Sequence, residues 1–260
     1  MAINNTKYLN NKEKRAQKAL EHTRTMRDAY GREIAESVKN SIIYSKHTKE
    51  MKADLRVLDM ELADITTEAA AIQYADGKTA VLNFASYKYP GGGFIAGSYA
   101  QEEALCHASF LYNVLCEFQE YYEWNRKNTN HGLYKNRAIY SPNVMFHNDN
   151  GEKCVDVITC AAPNWSAAKK DKILSAEDNL MALNSRIRFI KEIVEENHVD
   201  TLILGAFGCG VFGQNAKEVA QCFRSAFMLS SVKKIVFAVP KLKDPQNHEA
   251  FKKVMNTENP

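Results

Sequence analysis

Glu102 and Glu103 stand side by side in the run Gln101, Glu102, Glu103, shortly after Pro90 and three consecutive glycines, Gly91, Gly92 and Gly93. A carboxyl group can carry a proton to or from a reacting atom, and glycines leave a backbone that a ligand can approach closely. Leu105, Leu111 and Leu115 behind the acidic pair predict a helix whose first turn holds both acids. Acidic residues are common in a first turn because they complement the helix dipole, so a capping role stands beside a catalytic one. Adjacent helical residues lie about 100° apart at ~3.6 residues per turn, so the two carboxylates cannot both address one ligand atom. Two separate roles are implied.

A second glycine cluster, GAFGCGVFGQ from Gly205 to Gln214, follows the apolar run TLIL and leads into the helical pattern NAKEVAQCFRSAF. Gly205, Gly208, Gly210 and Gly213 free backbone N–H groups to turn inward, and the next helix adds its positive end. Together these make an anion cradle suited to a diphosphate. No lysine follows as in GxxxxGK[ST], so this is not a nucleoside-triphosphate loop. GCGVFG at 208–213 does satisfy GxGxxG, but a dinucleotide site wants an early strand–helix–strand unit and an acidic residue about 20 positions on. Here the loop is late in the chain and the next strand runs into Pro240 with no carboxylate, so hydride transfer ranks last. Cys209 invites a nucleophile role, yet no histidine sits nearby in sequence to activate it; a small residue that lets the loop fold tightly is the favoured reading.

Elements must bring these two loops together. Apolar runs at 80–85, 155–162, 201–207 and 234–240 predict buried strands, and helical periods cover Glu102 to Tyr122, Ser175 to Asn197, Asn215 to Leu229 and Gln246 to Met255. Strand and helix alternation of this kind predicts an α/β layered domain with helices on both faces of a parallel or mixed sheet. Ligands in such sheets sit beyond the carboxyl ends of the strands, which is where both glycine clusters fall. From about Asn11 to about Lys52 the sequence predicts helix, giving an N-terminal helical extension at 1–55 ahead of a main domain at 56–260.

The 260 residues carry 34 Lys and Arg against 31 Asp and Glu, with 45% hydrophobic residues, which excludes disorder and repetitive fibrous classes. The small net charge of +3 gives no general case for a nucleic-acid or membrane surface. The basic excess is local, with thirteen Lys and Arg against eight Asp and Glu in residues 1–60. It reads as a solvated helical face or as an electrostatic hand on a polyanion. Six cysteines show neither a CxxC pair nor zinc spacing and are read as reduced, and no metal or cofactor is expected. The absence of a signal-like N-terminus or a long apolar run makes a cytoplasmic protein without membrane contact the expectation.

Four blocks in order, NFASYKYPGGGFIAGSYAQEEALC, IYSPNVMF at 139–146, VITCAAPN at 157–164 and LGAFGCGVFGQ at 204–214, resemble the microbial-type poly(ADP-ribose) glycohydrolases, which are macrodomain enzymes. The specific element is GGG, a short spacer, then QEE, and the resemblance covers roughly residues 56–255. It implies a three-layer α/β/α macrodomain with a mixed central sheet that binds ADP-ribose and cleaves the O-glycosidic bond between ADP-ribose units. By position in the motif, Glu103 is the catalytic carboxylate and Glu102 grips ribose hydroxyls, Gln101 contacts the substrate, and Gly91 to Gly93 lie over the pyrophosphate and the scissile ribose from the side opposite the diphosphate loop. Gly205, Gly208, Cys209, Gly210, Val211, Phe212 and Gly213 form the diphosphate loop, Phe212 shaping the pocket of the scissile ribose.

Breaking a ribosyl C–O bond passes through an oxocarbenium-like centre that needs a proton on the departing oxygen and a directed water. One carboxyl can do both in turn, provided that burial and neighbouring charge keep it protonated near neutral pH. Lesser expectations attach to Asp64 to Glu68, as the loop that meets adenine, and to Asn83, as a ribose contact or a buried loop brace. Gln214 stands where relatives have Asn at the helix entrance, His107 faces the site or the helix surface, and Tyr87, Tyr89 and Tyr99 line the crevice or pack. The partner is ADP-ribose or poly(ADP-ribose) on modified proteins. Two alternatives remain: a binding module without catalysis, and a hydrolase of single ADP-ribose groups on protein or nucleic acid recruited by the basic N-terminal segment.

Overall fold

The structure is a computed structural model that describes residues 2–47, 58–149 and 151–256, with the side chains of all these except 2–10 and 171. Seven strands form one mixed sheet: β1 (Ile42–Tyr44), β2 (Asp59–Ala63), β3 (Thr79–Phe84), β4 (Ala138–Asn148), β5 (Gly151–Cys160), β6 (Thr201–Leu204) and β7 (Lys234–Ala238), in the order β1-β4-β5-β3-β6-β7-β2. The five strands from β5 to β2 are parallel, and β1 and β4 complete one edge antiparallel. The helices are α1 (Ala2–Asn40), α2 (Thr67–Gln73), α3 (Gln101–His107), α4 (Leu111–Leu115), α5 (Gln119–Lys127), α6 (Trp165–Ala168), α7 (Ala176–Glu196), α8 (Ala216–Phe227) and α9 (Pro245–Met255).

Side chains alternate across a strand, so β3 feeds both faces. Ala80 and Leu82 join α7, α8 and α9 in one core, while Val81 joins α1 to α5 in the other. This makes the three layers. Helix α7 shows why they hold: Leu183, Ile187, Ile190 and Ile193 recur at helical spacing and are fully buried. Each contributes about 1.5–3 kcal/mol of transfer free energy, more than intrinsic propensity supplies to a helix position. Ser175 and Asp178 close its N-terminus reciprocally, Ser175 Oγ accepting from the Asp178 N–H and the Asp178 carboxylate accepting from the Ser175 N–H.

The strand expectations at the four apolar runs hold, as do the three C-terminal helices, within a few residues at each end. The N-terminal helix stops at Asn40, earlier than its apolar period suggests, because Ser41 turns and β-branched Ile42 and Ile43 pair with Tyr140 and Ile139 on β4. The expected helix end at Lys52 and the boundary at 55/56 lie outside the described residues. The long helix read from Glu102 to Tyr122 is three short ones. Its first break comes where Ser109 bridges to Phe146, Ala108 accepts from the His147 N–H, and Ser109 Oγ donates to Leu105 and accepts from the Leu111 N–H. Among the described residues no helix is long and apolar enough to cross a membrane.

Candidate active site

Beyond the carboxyl ends of β3, β6 and β7 lies a cavity of about 930 Å³, lined by Gly92, Gly93, Gln101, Glu102 and Glu103 from the first glycine segment and by Gly208, Gly210, Val211 and Phe212 from the second. The two glycine clusters therefore face one crevice. They reach it because β3 and β6 are paired only as far as Val81 and Ile203, after which the chains part. Gln101 fills that parting, its Oε1 accepting from the Phe84 N–H at 2.8 Å and its Nε2 donating to the Leu82 carbonyl at 2.9 Å. The amide thus replaces a strand partner and ties the start of α3 to the end of β3.

With Gln101 fixed, the two acids diverge. Glu102 turns inward, only 3% exposed, accepting from Asn83 Nδ2 at 3.2 Å and from the Ser86 N–H at 2.7 Å. Glu103 reaches back to the helix start, accepting from the Gly93 N–H at 2.9 Å and the Ala100 N–H at 2.8 Å. The capping role and a site role thus coexist in one carboxylate, which caps through two lone pairs and keeps others for the cavity. Gly92 sits between the acids at φ +60°, and a Cβ there would stand 2.7 Å from Glu103 Oε1 and 2.9 Å from Glu102 Oε2. A side chain is excluded twice, by backbone conformation and by the carboxylates.

Burial, reinforced by the neighbouring Glu103 charge, pushes Glu102 up to about 8, against the pull of its hydrogen bonds from Ser86, Asn83 and Gly91. At neutral pH Glu102 is therefore a protonated acid that can donate a hydrogen bond. Asn83 lies beneath it, fully buried and off the cavity wall, bonded also to Thr159 Oγ1 at 3.3 Å, and its Oδ1 has no partner among the described residues. Gly91, also off the wall, packs against the Tyr112 ring.

In the second loop the Phe207, Cys209, Gly213 and Gln214 amides close turns within the loop. Among the described residues those of Gly208, Gly210, Val211 and Phe212 meet no protein acceptor, and these four line the cavity together with Ala206. Gly205, Cys209 and Gly213 lie behind them: Gly205 is pressed on the Ala238 carbonyl and Gly213 on Ser166. Asn215, rather than Gln214, caps α8, its Oδ1 accepting from the Lys217 and Glu218 N–H groups. Gln214 is buried and holds the loop down, donating to the Pro163 carbonyl at 2.7 Å and pairing with the Asn179 amide. Burial pushes the Cys209 thiol up to about 12.

Tyr87, Tyr89 and Tyr99 all line the crevice, Tyr87 buried and the other two more than half exposed. Tyr134 was not foreseen: it stacks on Tyr87 at 4.0 Å, meets Phe212 edge-on at 6.0 Å, and is held at φ +61°, a conformation unusual for an aromatic residue. No sequence signal marks it, since its place depends on three separate segments meeting. Thr66, Thr67 and Glu68 also line the cavity, as do Lys243 and Asp244. His107 is half-buried away from the wall, edge-on to Phe94 at 4.6 Å. No three His, Cys, Asp or Glu side chains gather in a metal-binding arrangement among the described residues.

Comparison with known proteins gives a consistent picture. The profile of the microbial-type PARG catalytic domain, PARG being poly(ADP-ribose) glycohydrolase, matches residues 2–149, more than half of the chain and including α1. Among solved structures, the Thermomonospora curvata poly(ADP-ribose) glycohydrolase bound to the inhibitor ADP-HPD is similar with a TM-score of 0.81 and 27% identity, over 93% of this chain and 99% of that one. The Deinococcus radiodurans enzyme in complex with ADP-ribose is similar with a TM-score of 0.74 and 30% identity, over 86% of this chain and 97% of that one. No match is found among curated proteins. On the strength of the profile match, the full-length structural likeness and the two glycine loops that share one crevice, the chain belongs to the microbial-type poly(ADP-ribose) glycohydrolase catalytic-domain family.

Proposed function

We propose that this chain hydrolyses the ribose–ribose O-glycosidic bond of poly(ADP-ribose), releasing ADP-ribose, with Glu103 as the acid and base. The observation that carries the reading is the shared cavity, lined both by Glu103 and by four loop residues whose amides meet no acceptor among the described residues. Diphosphate binding at Gly208 to Phe212 fixes the remote part of the macrodomain's substrate. That leaves the scissile ribose against Glu103 and spends binding energy on orientation. In the catalytic step Glu103 acts in its protonated form, giving that proton to the departing ribose oxygen, and the resulting carboxylate takes one from the incoming water, which restores the acid. The Gly93 and Ala100 amides hold that carboxylate between the two transfers. Glu102, braced by Asn83 and Ser86, donates to a ribose hydroxyl and adds no second negative charge while it stays protonated. Phe212, backed by Tyr134, covers the ribose.

Incubating the protein with poly(ADP-ribose) and measuring free ADP-ribose tests this. Glu103→Gln is expected to lower the rate by about 10²–10⁴-fold, the usual worth of general acid and base catalysis. ADP-ribose affinity measured alongside should stay within a few fold, which separates lost chemistry from a disturbed loop. No release by the unaltered protein, or an undiminished rate in the variant, sinks the assignment; tight binding with intact polymer points to a non-catalytic module instead.

A further inference from the structure

Helix α1 touches the segment around α3 at both of its ends. Before α3, Arg15 Nε donates to the Gly97 carbonyl at 2.8 Å, and Gly97, at φ +76°, lies so close that a Cβ would collide with the Lys12 carbonyl oxygen. After α3, His22 Nε2 lies 2.9 Å from the Ser109 carbonyl, and the His22 ring lies 6.2 Å from that of His107, the last residue of α3. Arg15 and His22 are seven positions apart, which is about 10 Å of helix at 1.5 Å per residue. Helix α3 is itself seven residues long. The two grips are thus spaced as the ends of the helix that bears both acids.

The first grip leads to Glu103 through backbone hydrogen bonds. Gly97 donates to the Phe94 carbonyl, Ala96 and Ser98 both donate to the Gly93 carbonyl, and Gly93 donates to Glu103 Oε1. Arg15 is therefore not part of a free basic surface. The exposed Lys14, Lys18, Arg24 and Arg27 of α1 alternate with exposed Glu13, Glu21 and Asp28 and present no uniform charge.

We propose that α1 is a splint for the helix carrying the acids, and that Arg15 is a positioning residue that sets Glu103 through the turn from Gly97 to Gly93. The proposal deepens the hydrolase reading and rests on it for the kinetic consequence, while the mechanical part stands on the hydrogen bonds alone. It gives the N-terminal helix a role in catalysis without contact to substrate. Lysine at position 15 can still donate to the Gly97 carbonyl, whereas alanine cannot.

The test compares Arg15→Ala, Arg15→Lys and the exposed-charge control Arg24→Ala in the full chain. Hydrogen exchange over residues 91–103, the thermal midpoint, and kcat and KM on poly(ADP-ribose) are measured for each. Expected for Arg15→Ala are faster exchange confined to 91–103, a kcat lower by about tenfold from misplaced reacting groups, KM within twofold, and a near-constant midpoint. Arg15→Lys should restore most of both effects, and Arg24→Ala should show neither. Unchanged exchange in 91–103 overturns the splint, and so does acceleration spread over the whole chain with a lowered midpoint, which marks a general fold brace. If the unaltered protein releases no ADP-ribose, the functional reading fails while the exchange result still decides the splint.

Discussion

The two glycine clusters look alike in sequence and do opposite work in the fold. Around Gly91 to Gly93 the space is full: Tyr112, the two carboxylates and Ser98 occupy the places where side chains would go, and the amides of Gly92, Gly93 and Phe94 already have acceptors. Around Gly208 to Gly213 only the flanks are packed. Among the described residues Gly210 has nothing within 4 Å of a Cβ, Val211 is 85% exposed, and four cavity-lining amides have no protein acceptor. Glycine in the first loop lets protein groups approach one another, and glycine in the second leaves the backbone open to the cavity. Glycine count alone does not separate those cases; the fate of the amides does.

A matched pair of substitutions sets the two loops against each other. Gly92→Ala must either hold alanine in the left-handed conformation, at about 1–2 kcal/mol, with its Cβ pushing Glu102 and Glu103 aside, or rearrange the turn. It is expected to cost about a hundredfold in kcat, because displacement of order 1 Å at a reacting group has that effect. Gly210→Ala meets open space, so stability should change by no more than about 0.5 kcal/mol. Its effect should appear in ADP-ribose affinity, about tenfold weaker, because the added methyl keeps the diphosphate from closing on an amide that alanine still carries, a loss on the scale of one hydrogen bond to a charged group. Kinetics, titration calorimetry and thermal melts on the two variants decide it. A kcat loss for Gly210→Ala, or an affinity loss alone for Gly92→Ala, breaks the contrast between a positioning loop and a binding loop.

The next effect belongs to the first loop. Glu102 is raised from 4.5 to about 8, so between those values the folded chain keeps a proton that the unfolded chain has released. Stability is therefore greatest below about pH 4.5 as far as this group is concerned, falls as pH rises toward 8, and is flat beyond. The loss is of the order of a few kcal/mol at about 1.4 kcal/mol per unit. Glu102→Gln should abolish that slope and leave the protein more stable than its parent at pH 8–9. Its new amide meets Asn83, whose Oδ1, without a partner among the described residues, can accept from it once the Asn83 amide turns over, with the Thr159 hydroxyl donating from the other side. Urea unfolding of both proteins from pH 5 to 9 checks this, and an equal slope in the two removes Glu102 as the source.

What the sequence made legible follows burial. Strands β3, β5, β6 and β7 read as apolar runs because they are central and parallel, with β3 buried on both faces. Strand β4 was recognised only as a block of resemblance: Pro142 and Asn143, at φ +54°, sit where its register shifts between Ser141 and Val144, and this breaks the pattern. Edge strands β1 and β2 are short and partly exposed: β1 is only the three apolar residues Ile42 to Tyr44, directly behind a helical period, and β2 interleaves Asp59 and Glu61 with Met60 and Leu62. Of the site, the residues held by local motif (Glu102, Glu103 and both glycine runs) were legible, since their spacing is sequential. Gln101 as a strand substitute, Gln214 as a buried anchor and Tyr134 behind Phe212 were not. Each takes its role from segments distant in sequence, and the same holds for the grip of Arg15 on Gly97.

The smallest expected effect concerns Cys209, the one group in the second loop that offers a different chemistry. A nucleophilic cysteine needs its thiolate, which calls for a partner that lowers the thiol. Here burial comes first and the Asp244 charge second, and both push the thiol up, to about 12. The sulfur's only described hydrogen bond is a long one, 3.8 Å, to the Phe207 carbonyl, in which the thiol donates and so keeps its proton. Its amide closes a turn on the Ala206 carbonyl, a backbone role that alanine fills equally well. Cys209→Ala is thus expected to leave kcat/KM on poly(ADP-ribose) within about twofold, well under the 1.4 kcal/mol of a tenfold change. Alkylating reagents near pH 7 should leave the sulfur unmodified, as mass spectrometry of the loop peptide can report. A large rate loss in the alanine variant would transfer part of the chemistry from the first loop to the second, and the division between a loop that positions acids and a loop that waits for phosphate would fall with it.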